Sequence, residues 1–181
     1  MDDSAGSGSK KPWMSSGRGL FRGPAERYPI DLFSYTREAL HCMQERRFLA
    51  CIAMASTAVE IILNRDRRLK ALLNFKSSDG WAYLNNRSLR TARKNGLPAG
   101  ALLSPGDDLD SRKPIAFVEL RNKIAHGEIA HLVTGLSDYD PSAEQMAADQ
   151  ETKMRLFVSE WFNTAPDVQE GYIRNNHWSE D

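Results

Sequence analysis

Apolar residues recur at helical spacing through most of the chain after residue 27, and no stretch alternates as a strand would. The folded part is expected to begin near Tyr28, and Asp31 to cap a first helix that runs to about Glu45, with Leu32, Phe33, Leu40 and Met43 as its apolar stripe. Arg46 and Arg47 mark a break. Phe48–Leu63, FLACIAMASTAVEIIL, is apolar almost all round and rich in alanine, the pattern of a central helix touched by several neighbours. The basic residues Arg65, Arg67, Arg68 and Lys70 follow as that helix leaves the core. Asp79 predicts a short helix through Trp81 and Leu84. Ser88–Asn95 predicts another, ended by Gly96 with Pro98 beyond. The stretch PGDDLDSRK carries turn signals, and Pro114 suits the first turn of a helix to about His126, where Gly127 ends or bends it. Asp140 and Pro141 cap and open a long helix with Met146, Met154, Phe157, Trp161 and Phe162 facing the core; Ala165-Pro166 stops it. Four or five helices on short connections predict an all-α bundle.

Composition sets the limits of that domain. Residues 1–27 hold five Gly, five Ser and two Pro, and read as a disordered leader. The helical domain is expected over 28–165, and residues 166–181 as a tail that is loose or docks through Tyr172, Ile173 and Trp178. At 181 residues the chain is long enough for a core without a disulfide or metal staple. The formal charge is zero, which excludes a wholly basic nucleic-acid coat and an acidic solvating tail. The zero hides an asymmetry: residues 1–100 carry 17 Lys+Arg against 9 Asp+Glu, and residues 101–181 carry 7 against 15. The first part could attract a polyanion. Cys42 and Cys51 sit in apolar helical patterns and read as buried, reduced thiols. The N-terminus lacks an apolar signal core. The longest apolar run, 16 residues with Glu60 inside it, falls short of the roughly 20 that a membrane span needs. A cytoplasmic setting with no membrane partner is the expectation.

The densest polar cluster in an apolar helix is FVELRNKIAHG, residues 117–127. Phe117, Leu120 and Ile124 define its core stripe, with Arg121 on the flank. Asn122 and His126 lie one turn apart on nearly the opposite face. Arg121 and His126 are about 140° apart on an ideal helix. A site that uses both needs a bend near Gly127, an Arg121 side chain that curls round, or a second copy of the helix. Ile115 and Val118 lie on the His126 side, where an apolar contact would favour a dimer.

The segment RNKIAHG resembles the R-x4-6-H motif of the HEPN superfamily (higher eukaryotes and prokaryotes nucleotide-binding), in which a polar residue, often Asn, follows the Arg. Arg121, Asn122 and His126 fit it, with Leu120 and Gly127 as its usual flanks. Upstream, EALHCMQERRFLACIAMASTAVEIIL resembles the paired-helix start of many such domains, so the likeness spans about residues 28–163. The resemblance implies a four- to five-helix bundle that dimerises around the motif helix. It implies a metal-independent endoribonuclease, with no cofactor, of the kind found among toxins and antiphage or stress effectors. His126 would act as general base or acid, Arg121 would hold the phosphate, and Asn122 would position it. The products would be a 2′,3′-cyclic phosphate and a 5′-hydroxyl. RNA is the implied substrate, and a neutralising antitoxin or regulatory partner is compatible with the class. Members controlled by AMPylation carry Tyr two residues after the His; Glu128 stands there, which argues against that control. The alternative is a non-catalytic HEPN module that binds a nucleotide or a protein.

Glu60 is an acid inside an apolar helix and must be paired or reach the surface. It is the candidate support for Arg121. Arg87, Arg90, Arg93 and Lys94 share one helical face, which offers an RNA contact but is more often the pattern of a solvated face. His131 has no Cys/His/Asp cluster around it, so no metal site is expected. Trp13, Trp81, Trp161 and Trp178 are better explained by packing than by base stacking. Asp107/Asp108 and Asp138/Asp140 fall in turn-rich loops, where Asp bonds locally. No Gly-rich phosphate loop or G-x-S-x-G elbow occurs.

Overall fold

A computed structural model describes residues 28–70, 72, 81–128, 132–133, 139–165 and 169. The leader over 1–27 and, residue 169 apart, the tail over 166–181 lie outside these residues. Within them the chain forms α1 (Tyr28–Gln44), α2 (Phe48–Arg65), α3 (Arg67–Lys70), α4 (Asn86–Lys94), a 3-10 turn (Ala99–Leu102), α5 (Ala116–Ala125) and α6 (Pro141–Asn163). The described residues hold no strand, only an antiparallel bridge between Val133 and Tyr139. The all-α bundle expected from the sequence is what the chain adopts.

α2 is the hub. Eleven of its residues are buried, from Phe48 to Asn64, because α1, α5 and α6 each cover part of its surface. Ala55 and Ala58 are fully buried and let neighbouring backbones approach. As a helix it runs longer than its apolar stretch. By length and composition its 18 residues would suffice to cross a membrane, contrary to the reading of the 16-residue run. Yet 61% of it is buried inside the bundle, which accounts for its apolar surface.

On α6, Ala143, Ala147, Gln150, Met154, Phe157 and Trp161 are buried at alternating steps of four and three. Met146 falls one residue off that stripe and is 36% exposed, which corrects its place in the expected core. Leu40 is likewise exposed, since α1 faces the core through Leu32, Ala39 and Cys42 instead. Burying a side chain such as Phe157 contributes about 1.5–3 kcal/mol. Polar ties set the register of this packing. The Gln150 Nε2 donates to Ser56 Oγ at 3.2 Å and to the Phe117 carbonyl at 3.1 Å, joining α6 to α2 and α5. At the far end Trp161 Nε1 donates to Asp66 Oδ2 at 2.7 Å, and Arg68 Nη2 meets the same oxygen at 2.8 Å. Burial works against the Asp66 charge, but the hydrogen bonds from Arg68 and Trp161 together outweigh it and hold its carboxyl below the ordinary value.

Three helices end in one way. After α4, Gly96 (φ 80°) bonds back to Arg93 and Leu97 to Ala92; after α5, Gly127 (φ 72°) bonds to Ile124 and Glu128 to Lys123. After α1, Arg46 takes the same left-handed conformation (φ 59°), with Arg46 bonded to Met43 and Arg47 to Cys42. These paired 5→2 and 6→1 bonds satisfy the last carbonyls of each helix.

Two expected helix starts are displaced, and a third, Asp79, lies outside the described residues. α1 begins at Tyr28, so Asp31 lies inside it rather than capping it, and Pro29 takes a first-turn place. α5 begins at Ala116, two residues after Pro114, because outside side chains take its first donors. Asn86 Oδ1 accepts from the Ile115 N–H and Asp107 Oδ1 from the Ala116 N–H, each at 3.0 Å. Residues 81–85 are not helical. Their donors go to α2: the Ala82 N–H to Asn64 Oδ1 at 2.7 Å, and the Leu84 N–H to Glu60 Oε1 at 2.9 Å. A helix there would need those groups for its own carbonyls.

Candidate functional site

α5 carries the RNKIAHG segment and splits its polar groups between two sides. Inward, Arg121 is 28% exposed in its side chain and its Nη2 meets Glu60 Oε1 of α2 at 2.9 Å. The same oxygen accepts the Leu84 N–H, so one carboxylate fixes both the arginine and the 81–85 segment. The pairing anticipated for Glu60 and Arg121 is present. Outward, Asn122 and His126 line an open groove of about 360 Å³ with Lys113, Pro114, Glu119, Lys123 and Glu128. Arg121 does not line it.

The two sides are joined by Asn122. Its Oδ1 accepts from Arg121 Nη1 at 3.2 Å. A hydrogen-bonded chain therefore runs from Glu60 through Arg121 to the groove wall. His126 is the residue at which α5 stops, its own N–H bonded to the carbonyls of Asn122 and Ile124. Its ring is exposed. The bend at Gly127 comes only after His126, so it does not bring the His126 ring round toward Arg121. Sequence reasoning overlooked Lys113 and Lys123. Lys123 is visible in the sequence as the i+4 partner of Glu119, which it meets at 2.9 Å. That ammonium holds the Glu119 carboxyl below its ordinary value.

Ile115 and Val118 are each 1% exposed within the single chain. They pack in its own core, so the apolar contact expected of them on the His126 side is not there to join a second copy. The basic face is divided as well. Arg90 turns to the following loop, with Nη2 on the Leu109 carbonyl at 2.6 Å and Nε on Asp110 at 2.8 Å. It braces the loop, whereas Arg87, Arg93 and Lys94 are exposed. Among the tryptophans, Trp161 is fully buried and Trp81 is 42% exposed. Trp13, Trp178, His131 and His177 lie outside the described residues. His41 faces Glu45 at 3.4 Å on the surface of α1. Asp107 and Asp108 make the local turn bonds expected of them, to the Ser104 and Asp110 N–H groups.

No family model, no curated protein and no solved structure matches this chain.

Proposed function

We propose that this chain is a metal-independent endoribonuclease of the HEPN kind, acting on RNA as a homodimer through the motif helix. One observation carries the reading: His126 stands exposed at the end of α5, one turn from Asn122, on a groove flanked by Lys113 and Lys123. A solvent-reachable imidazole beside an amide and the Lys113 ammonium, with Lys123 paired to Glu119, is suited to general acid–base work on a phosphodiester.

In this reading His126, as general base, takes the proton of a ribose 2′-OH. The 2′-oxygen attacks the adjacent phosphorus, the P–O5′ bond breaks, and the 5′-oxygen leaves with a proton from the partner's histidine or from water. A 2′,3′-cyclic phosphate and a 5′-hydroxyl result. Asn122 has its Oδ1 engaged by Arg121, which leaves its Nδ2 donors for a phosphate oxygen. Arg121 then acts through Asn122, held in place by Glu60. The exposed Arg87, Arg93 and Lys94 lend long-range attraction for the polyanion. The cellular role that fits is a cytoplasmic toxin or antiphage or stress effector, restrained by an antitoxin or regulatory partner.

A second reading is favoured by one contact. Arg121 is committed to Glu60 and Asn122, as in a structural ion pair, and that suits a non-catalytic module that binds a nucleotide or a protein. Incubating wild type and His126→Ala with total RNA in excess EDTA separates the two. Discrete cuts with cyclic-phosphate ends, lost in a folded His126→Ala, support the nuclease. Cuts that survive the substitution, or none from a folded wild type, overturn it.

A further inference from the structure

The groove beside His126 is lined by five ionisable side chains: Lys113, Glu119, Lys123, His126 and Glu128. Its cations are not equally available. Lys123 is committed to Glu119 at 2.9 Å. Arg121 lies off the groove, with Nη2 on Glu60 and Nη1 on Asn122. Lys113 is the cation left. Among the described residues its ammonium makes no ion pair and no hydrogen bond. It does stand within electrostatic reach of Glu119: Lys123 holds that carboxyl low, and the Lys113 charge adds to the effect.

The backbone that carries Lys113 is held from three directions. Its N–H donates to Ser111 Oγ at 3.0 Å. Its carbonyl accepts from Asn86 Nδ2 at 2.8 Å, and Asn86 Oδ1 accepts the Ile115 N–H at 3.0 Å, so one α4 side chain grips the chain on both sides of Pro114. Pro114 in turn disfavours helical backbone at the residue before it. The lysine stem therefore leaves the groove wall from a set point, with only its own four-carbon chain to adjust.

A phosphodiester attacked by its 2′-oxygen gathers negative charge on its non-bridging oxygens, and a fixed cation there lowers the barrier. Asn122 can offer neutral donors to those oxygens, but no charge. Without Lys113 the groove would meet the phosphate with Glu128 and no free lysine.

We infer that Lys113 is the catalytic cation of this groove: its ammonium meets the non-bridging oxygens of the phosphate under attack and stabilises the charge that grows on them. This rests on the nuclease reading, and gives the phosphate contact to a residue outside the RNKIAHG segment. Lys113 keeps its proton throughout, and His126 handles the proton of the 2′-OH.

The test follows cleavage of an oligoribonucleotide copied from a cut mapped in total RNA, in excess EDTA, with kcat and KM measured separately. Lys113→Met removes the charge from an exposed side chain. It is expected to lower kcat roughly 100- to 1,000-fold, the range for loss of one donor to a developing oxyanion, with KM and melting temperature little changed. Lys113→Arg should recover part of the rate. Chemical rescue then separates charge from structure. Lys113→Cys should be as slow as Lys113→Met until 2-bromoethylamine alkylates the new thiol. The sulfur displaces bromide, its proton goes to the buffer, and the side chain again ends in an ammonium at nearly the reach of lysine. Cys42 and Cys51 are buried, and burial pushes both thiols up, Cys51 to about 12, so they react far more slowly. Alkylated Lys113→Cys should regain most of the lost rate. A folded Lys113→Met that cuts at the wild-type rate overturns the assignment and leaves the nuclease reading standing. So does a loss confined to KM, which is the mark of general attraction for a polyanion, and so does an alkylated Lys113→Cys that stays slow. A folded wild type that cuts no RNA overturns the nuclease reading and the assignment together.

Discussion

Arg121 reaches across to α2 and meets Glu60 at 2.9 Å, so the arginine of the motif faces away from the groove that His126 lines. The pair is partly shielded, with Glu60 13% exposed, and the same oxygen also serves the Leu84 N–H. Glu60→Ala would leave two donors without an acceptor. It is expected to cost about 1.5–3 kcal/mol, the range for hydrogen bonds to a charged group. At this chain length that lowers the melting temperature by about 3–12 °C. Glu60→Gln keeps an acceptor and should cost less. Urea unfolding of both variants measures this; equal loss in the two would show that the acceptor geometry contributes nothing.

Asn64 predicts a larger and more local effect. Its side chain satisfies both backbone groups of Ala82, which is 1% exposed. Asn64→Ala leaves a buried N–H and a buried carbonyl unmatched, each at about 1–3 kcal/mol. Asn64→Asp retains the acceptor and loses the donor, so it should fall between. Hydrogen exchange at the Ala82 amide should accelerate far more than exchange within α6. Equal acceleration everywhere would mean that the clamp supports only global stability.

The contrast between this acid and this amide shows what is legible in the sequence. Glu60 is conspicuous because an acid in FLACIAMASTAVEIIL demands a partner. The α6 stripe and the α4 and α5 stops at Gly96 and Gly127 are equally local, being written in spacing and in glycine. What stayed hidden depends on contacts between distant segments. The stretch with Trp81 and Leu84 reads as helix because nothing nearby announces that Asn64 and Glu60 will take the Ala82 and Leu84 N–H groups. Pro114 reads as a helix start because Asn86 lies 29 positions from Ile115. The direction of Arg121 and the burial of Ile115 and Val118 follow from where α2 and α6 pack, which helical periodicity alone does not fix.

Asp66 makes acid stability predictable in sign. Its folded carboxyl titrates below the ordinary value, so the charged form stabilises the fold at pH above the unfolded value of about 3.9. That contribution is lost as pH falls through the lower folded value. Asp66→Asn cannot titrate and weakens the bonds from Trp161 and Arg68. Wild type should therefore exceed Asp66→Asn in stability by a constant margin near neutrality, and the margin should shrink below about pH 4. Urea midpoints from pH 7 to pH 3 measure it. A margin that persists unchanged to pH 3 would mean that Asp66 titrates alike in the folded and unfolded chain.

The helix ends give a prediction with opposite signs at two sites. Gly127 holds φ at 72°, and an added Cβ there would meet nothing within 4 Å. Gly127→Ala therefore carries no clash, only the left-handed backbone strain of about 1–2 kcal/mol. Arg46 already bears that strain at φ 59° after α1. Its compensations are an exposed contact with Glu144 at 3.7 Å and a position over the Phe48 ring at 5.7 Å. Such exposed contacts contribute only about 0–1 kcal/mol each. Arg46→Gly is accordingly expected to be neutral or to raise stability by up to about 1 kcal/mol, whereas Gly127→Ala lowers it. The second change also loosens the turn that fixes His126, so on the proposed nuclease reading RNA cleavage should fall with it, while α4, with its own stop at Gly96, keeps its protection from hydrogen exchange. Both substitutions lowering stability equally would show that the left-handed conformation at Arg46 is held by its side-chain contacts and not imposed against them.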